Sequence, residues 1–344
     1  MAMILAALMA AGCGNAQNKQ VSITTVGVEE FSEKMAQKDV RLIDVRTAKE
    51  YAEGHLAGAE NIDVKAADFA LCIKDIKGAV AVYCRSGKRS MTAAEQLAAN
   101  GCMVYNLVGG ILAWQKAGKP TTTVETDVFS TKSGKLVKFH ALLHSSIRIE
   151  YDGREIEIDP CGNLRGRTVD FTAMPKADIL LVTHEHFDHY DTAALHLLTA
   201  EKTRLIMNPR CVELYGSGAA MKNGDRMKLA DGINLEAVPA YNTTEGSQQF
   251  HPKGRDNGYI LTLDGLRIYI AGDTEDIAEM ADLKDIDIAF LPCNQPYTMT
   301  PEQLVRAAKI IKPKVLFPYH YGETDVSGIP AQLPGVDVRI RHYE

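Results

Sequence analysis

Six consecutive residues, His184-Glu185-His186-Phe187-Asp188-His189, constrain this chain more than any other stretch. They put three of its ten histidines directly behind the apolar run Ile179–Val182. Imidazole and carboxylate are preferred ligands of zinc and similar divalent ions. On an extended segment, side chains two apart point the same way, so His184 and His186 can grip one ion while Asp188 and His189 face a neighbouring position. Four ligands from one short loop can hardly close around a single tetrahedral ion, which argues for two ions sharing a water or hydroxide. The remaining ligands must come from other strand ends. Asp273, after the run Leu266–Ile270, is placed to bridge the ions, and His320, after residues 315–317, to complete the second position. Gly272 lets the backbone approach closely there.

Around this motif the local patterning is of mixed α/β type. Asp152-Gly153 and Asp264-Gly265, each flanked by strand-like runs, predict hairpins over residues 146–158 and 259–270 and suggest two similar halves. Thr300, Pro301 and Gln303 spell a capped helix start, and Pro313 forbids continuation past Lys312. Upstream, short β-like runs at 41–45, 79–83 and 104–107 alternate with helical stretches such as 90–100, the pattern of a parallel sheet wrapped by helices. Residues 117–135 are polar and rich in Thr and Ser. The expected organisation is a signal or tether over 1–20, a first domain over 21–119, a linker over 120–135 and a second domain over 136–344. A length of 344 residues suits two domains.

The histidine cluster, followed by a later His, an Asp and a final His at strand ends, resembles the metallo-β-lactamase superfamily, and the resemblance covers nearly all of the second domain. Ile158-Asp159-Pro160, the segment 321–325 and Phe250-His251-Pro252-Lys253-Gly254 are similar to a branch of simple hydrolases that includes ascorbate-phosphate lactonases and phospholipase-D-like phosphodiesterases. The resemblance implies a four-layered αββα sandwich, with Asp159 a structural acid beneath the loop. It also implies a metal-bound water that attacks an ester, lactone or phosphodiester bond, with Asp188 orienting it and accepting its proton. In one respect the chain departs from the pattern: Tyr241-Asn242-Thr243 stands where the third histidine of the first site is usual. His251 is therefore assigned by elimination. The implied ligand set is His184, His186 and His251 for one ion, Asp188, His189 and His320 for the other, and Asp273 shared. The cofactor expected is two divalent ions, zinc first, with manganese and iron as alternatives. His144 resembles a histidine that family members carry at the pocket edge and is expected either to bind substrate or to be buried structure. Tyr319, Tyr321 and Lys253 are candidates for contact with an anionic substrate.

In the first domain, Cys84 follows the apolar run Ala79–Tyr83 and opens Cys84-Arg85-Ser86-Gly87-Lys88-Arg89-Ser90 just before a helix. Amides of a loop curling into a helix start, joined by Arg85, Lys88 and Arg89, stabilise a thiolate or persulfide. With residues 42–46, 50–59 and Leu107-Val108-Gly109-Gly110 before Trp114, the segment 21–119 is similar to single-domain rhodaneses. That implies a parallel sheet with flanking helices and sulfane-sulfur transfer through a persulfide on Cys84. The loop Arg85, Ser86, Gly87, Lys88 and Arg89 would bind the anionic donor.

Seven scattered cysteines, none spaced as a zinc knuckle or redox dithiol, exclude a disulfide scaffold, and a net charge of -6 without a basic run excludes a nucleic-acid footprint. The partners expected are a small-molecule substrate and a sulfane-sulfur donor. Residues 1–12 are apolar and uncharged, and Ala10-Ala11-Gly12-Cys13 resembles the box at which bacterial lipoproteins are cleaved and lipidated. This signal-peptide outline implies a bacterial cell-envelope protein, lipid-anchored on Cys13 or periplasmic, and a cytoplasmic one if the segment is not a signal. Two other functions fit the fused arrangement: an iron-dependent persulfide dioxygenase, and a non-catalytic envelope sensor of sulfur or oxidants. The ligands at His189 and His320, which a mononuclear iron would leave idle, weigh against the first.

Overall fold

The computed structural model describes residues 23–343, so the tether expected over 1–20, with Cys13, lies outside the described residues. In the first domain β1 (Ile23–Val26), β2 (Val40–Asp44), β3 (Glu60–Asn61), β4 (Ala79–Tyr83) and β5 (Met103–Leu107) form an all-parallel sheet in the order β1-β5-β4-β2-β3. Parallel strands need cover on both faces. Ala93, Ala94 and Leu97 of the helix Lys88–Ala99 pack on Val80 and Val82, while Phe31, Tyr51 and Trp114 pack on Ala81 and Tyr83 from the other side. The central strand β4 therefore ends in a fixed place and delivers Cys84 at the carboxyl edge of the sheet.

The second domain stacks two seven-stranded sheets of matching design. One is built from β6 (Thr126–Ser130), β7 (Leu136–Leu143), β8 (Ser146–Tyr151), β9 (Arg154–Ile158), β12 (Ile179–Val182), β13 (Arg204–Met207) and β14 (Ala219–Ala220), in the order β14-β13-β12-β9-β8-β7-β6. A small ribbon, β10 (Asn163–Leu164) with β11 (Arg167–Thr168), lies between β9 and β12 in sequence. The other sheet runs in chain order: β15 (Arg226–Ala230), β16 (Ile233–Ala240), β17 (Asp256–Leu263), β18 (Leu266–Ile270), β19 (Ile288–Pro292), β20 (Val315–Tyr319) and β21 (Asp337–Val338). In both sheets an antiparallel meander gives way to parallel strands. Their inner faces interleave Phe139, Ile149, Ile158 and Leu181 with Leu261, Ile270, Phe290 and Phe317. Helices Thr192–Leu198 and Pro209–Tyr215 cover one outer face, and Pro301–Ile311 the other, completing four layers.

Local chemistry explains the turns. Asp152 and Gly153 have φ of 51° and 73°, Asp264 and Gly265 45° and 81°, the paired left-handed conformation of tight hairpins. Thr300 and Gln303 form the reciprocal capping box at the helix Pro301–Ile311.

The linker expected over 120–135 needs correction, because it contains β6, which pairs antiparallel with β7 from Thr126↔His140 to Ser130↔Leu136. The same stretch is bound to the first domain. His55 exchanges backbone bonds with Thr122, its ring contacts Val124 O at 2.8 Å, Thr126 N donates to Tyr51 Oη, and Arg41 donates to Val128 O at 3.2 Å. What looks like a polar spacer is a strand wedged between the two domains.

Candidate metal centre and cysteine loop

Asp159, at the end of β9, carries the foundation of the metal loop. Its two carboxylate oxygens accept from Thr183 N and Thr183 Oγ1, both at 2.8 Å, and Oδ2 lies 2.9 Å from His189 Nδ1. These bonds fix the chain just past β12 and turn His189 Nε2 towards the interior. From the facing sheet, β18 delivers Asp273 through Gly272, which has φ +63°; a Cβ there would press on Asn257 O and the Thr183 side chain.

Asp273 lies at the middle of the donor cluster. Its Oδ1 is 3.2 Å from His189 Nε2, and Oδ2 is 3.3 Å from both His251 Nε2 and His320 Nε2 and 3.9 Å from His184 Nε2. His184 Nε2 and His186 Nδ1 stand 3.1 Å apart. Two neighbouring sets of donors result, with atoms all within 4.8 Å of one another in each: His184, His186, His251 and Asp273; and His189, Asp273 and His320. A third set, His144, Asp188 and His320, adjoins the second. All seven ligand residues expected from the sequence are thus in one cluster, and His144, expected at the pocket edge or as buried structure, is buried beside Asp188 and His320.

A metal fits this cluster on the strength of its own unsatisfied atoms. His189 Nε2, His251 Nε2, both ring nitrogens of His320 and Asp273 Oδ1 are buried with no hydrogen-bond partner among the described residues. Buried polar atoms left so are costly, and here they converge. Burial favours the neutral imidazole at His184, His186 and His320, lowering each below the usual range. That is the form whose lone pair can bind a cation. For His251 burial acts the same way, but the carboxylates of Asp256 and Asp273 outweigh it and lift the group to about 9. Burial opposes ionisation of Asp188, yet the imidazoles of His144, His320 and His189 hold it well below the ordinary carboxylate range.

His251 does not come from a strand end. It sits on the loop after β16, where Asn242 N donates to His251 O at 2.9 Å and Asp256 Oδ2 meets His251 Nδ1 at 3.0 Å, leaving Nε2 to face Asp273. Asp256 is buried and paired with Arg255 at 2.7 and 2.8 Å. Glu275 holds the loop's start: one oxygen accepts from the amides and hydroxyls of Thr243 and Thr244 at 2.7 to 3.0 Å. Sequence reasoning missed Asp256 and Glu275. Their one signal was position: Asp256 five residues past His251, and Glu275 two past Asp273.

The other candidates for substrate contact are engaged elsewhere. Tyr319 is fully buried in the inter-sheet core, Tyr321 Oη donates to Arg341 O at 2.5 Å, and Lys253 pairs with Glu279 at 2.7 Å above the Tyr241 ring. Phe187, between His186 and Asp188, is 74% exposed at the mouth of the cluster.

In the first domain, the loop after β4 wraps the Cys84 sulfur. Gly87 N lies 3.1 Å and Ser90 Oγ 3.4 Å from Sγ. Burial raises the thiol, but the Ser90 hydroxyl and the amides of Ser90, Ser86 and Gly87 overcome it and bring the group below its ordinary value. The cations expected to do this are placed differently. Arg89 is clamped bidentately to Glu50 at 2.6 and 2.7 Å, and Arg85 and Lys88 are exposed. Glu50 and Ser90 were not foreseen. Gly110, at φ +59°, backs the loop: a Cβ there would collide with the backbone of Cys84 and Arg85.

Comparison with known proteins agrees with both halves. The profile of the β-lactamase superfamily domain matches residues 138–320, and that of the rhodanese-like domain residues 27–117. A UPF0173 metal-dependent hydrolase of Lysinibacillus sphaericus is 31% identical over 201 residues, 54% of this chain and 84% of its own length; one of Thermococcus kodakarensis is 30% identical over 54% and 85%. Among solved structures, a protein of Parabacteroides distasonis designated a candidate metal-dependent hydrolase superposes with a TM-score of 0.62 at 50% identity, covering 64% of this chain and 100% of that one. Igni18, a metallo hydrolase of Ignicoccus hospitalis, follows at 0.52 and 28%, over 60% and 94%. A buried His and Asp cluster between two matched sheets, with these relatives, makes the chain a member of the β-lactamase superfamily of metal-dependent hydrolases, with a rhodanese-like domain ahead of the hydrolase domain.

Proposed function

We propose that the second domain hydrolyses an ester, lactone or phosphodiester bond of a small-molecule substrate with two divalent ions, zinc first, and that the first domain carries sulfane sulfur on Cys84. The observation that carries the hydrolase reading is the convergence of unsatisfied buried donors on Asp273 from both sheets. His184, His186 and His251 would hold one ion, Asp188, His189 and His320 the other, and Asp273 both. When bound, the pair supplies a water acidified from 15.7 towards about 7 and a Lewis acid for the scissile group. Asp188, ionised and 19% exposed on its side chain, is the group at the mouth that can orient that water and take its proton.

On Cys84, the thiolate attacks the outer sulfur of a thiosulfate-like donor. The donor's S–S bond breaks, its electron pair leaves with sulfite, and the new S–S bond is the persulfide. The loop amides that favour the thiolate equally suit the persulfide anion. Cys13 would tether the protein to a bacterial envelope, in line with the Ala10-Ala11-Gly12-Cys13 box.

Elemental analysis of the purified protein, with a panel of lactones and phosphodiesters and with oxygen uptake on glutathione persulfide, tests the reading. About two zinc or manganese ions per chain with hydrolysis is the expected result. One iron per chain with persulfide-dependent oxygen consumption would overturn it in favour of persulfide oxidation. For the first domain, Cys84→Ser is expected to abolish sulfur transfer from thiosulfate to cyanide and to leave hydrolysis unchanged.

A further inference from the structure

We propose that His144 is itself a metal ligand, joining Asp188 and His320 at the second position, and that the C-terminal segment 339–343 holds it there. The inference rests on the two-ion reading above and adds a donor that reading does not use. His144 Nε2 lies 3.3 Å from Asp188 Oδ2, and its ring centroid is 3.7 Å from that of His320. The donor atoms of the three residues lie within 4.8 Å of one another, and His320 also belongs to the set with His189 and Asp273. At 1% exposure His144 presents almost no surface to an incoming substrate, whereas a ligand needs only one ring nitrogen turned inward.

The backbone is built to keep that ring in place. His144 sits in the turn between β7 and β8 with φ +58°, an uncommon conformation for a side-chain-bearing residue that the surroundings must impose. Its N–H donates to Tyr343 O at 2.7 Å, its carbonyl accepts from His320 N at 3.3 Å, and the next residue, Ser145, donates from Oγ to Asp188 O at 3.0 Å. Three ligands are thereby tied through main chain as well as side chain.

Tyr343 is in turn anchored. It is buried against Tyr319, while Arg339 and Arg341 converge on the Asp127 carboxylate of β6 at 2.7 to 2.8 Å and His342 N donates to Glu125 at 2.6 Å. Both Asp127 and this tail lie outside residues 138–320 that match the superfamily profile. The second position thus depends on parts of the chain that frame the hydrolase core.

Titration of the metal-free full chain with Zn²⁺ or Mn²⁺ alone, followed by calorimetry, and anomalous diffraction from the loaded protein test this. Two equivalents are expected for the wild type. His144→Ala should keep the first at wild-type affinity and weaken the second at least about tenfold. A chain ending at His342 should shift the same equivalent in the same direction. In the loaded wild type, His144 Nε2 should stand about 2.0 to 2.3 Å from an ion. Unchanged uptake of both equivalents by His144→Ala, or an ion held by Asp188 with His144 Nε2 more than about 3 Å away, overturns the ligand role and leaves the hydrolase reading intact. Fewer than two equivalents in the wild type overturns both. Diffraction from the wild type decides the matter even if the variants do not fold.

Discussion

Glu157 has both carboxylate oxygens buried without a hydrogen-bond partner among the described residues, and the nearest cation is Arg148 Nε at 3.8 Å. It lies on the face of β9 opposite the inter-sheet core. Burial pushes its acid up to about 8 against the pull of Arg148. A carboxyl raised in the fold contributes stability that is complete below its unfolded value near 4.5 and is lost as pH climbs towards 8. The span corresponds to roughly 5 kcal/mol. Glu157→Gln should therefore flatten the loss of stability between pH 5 and 8 and raise the melting midpoint at pH 8.5 by roughly 3 to 6 °C, with little change at pH 4.5, as scanning calorimetry would show. At the mouth of the cluster, Asp188→Asn should cost about 10² to 10⁴ in turnover while the first metal equivalent is retained, measured as rate and metal content on one preparation. The motif made Asp188 legible because ligands crowd together in sequence there. Ser90, Glu50 and Asp256 were not legible, since each acts through a contact that only the fold creates: Arg89, read as a free cation, meets Glu50 across 39 positions.

Elements whose determinants are local were readable in advance. The hairpins at Asp152-Gly153 and Asp264-Gly265 and the capped helix Pro301–Ile311 depend on residues within four positions of one another. Strand β6 failed that test: its partners are β7, the first domain and two arginines more than 200 residues away, and Thr126–Ser130 alone carries too few apolar positions to signal a strand. The loop 241–251 is an intermediate case. The missing strand-end histidine was visible, but not that Glu275 and Asn242 stiffen the loop so that a histidine ten residues on faces Asp273. Glu275→Ala should release Thr243 and Thr244 and weaken the first metal equivalent by about tenfold or more, leaving the second in place, a difference that calorimetric titration resolves.

At the scale of the whole molecule, Asp127 joins β6, the C-terminal tail and the boundary with the first domain. It is buried, and although burial opposes its ionisation, Arg341 and Arg339 hold it below the ordinary carboxylate range. Removing one member of a buried ion pair leaves the others uncompensated. Asp127→Ala should therefore cost about 3 kcal/mol or more in denaturant unfolding and loosen the contact between the domains, read as faster amide exchange in β6 and in residues 339–343. The tail also sets when His144 can be fixed during folding. Its N–H is held by the Tyr343 carbonyl, about 200 positions further along the chain. A contact of such separation is rewarded only after a long loop has been closed. The turn that carries His144 therefore locks only once both sheets have formed around it, so this corner of the donor cluster is among the last parts of the fold to set.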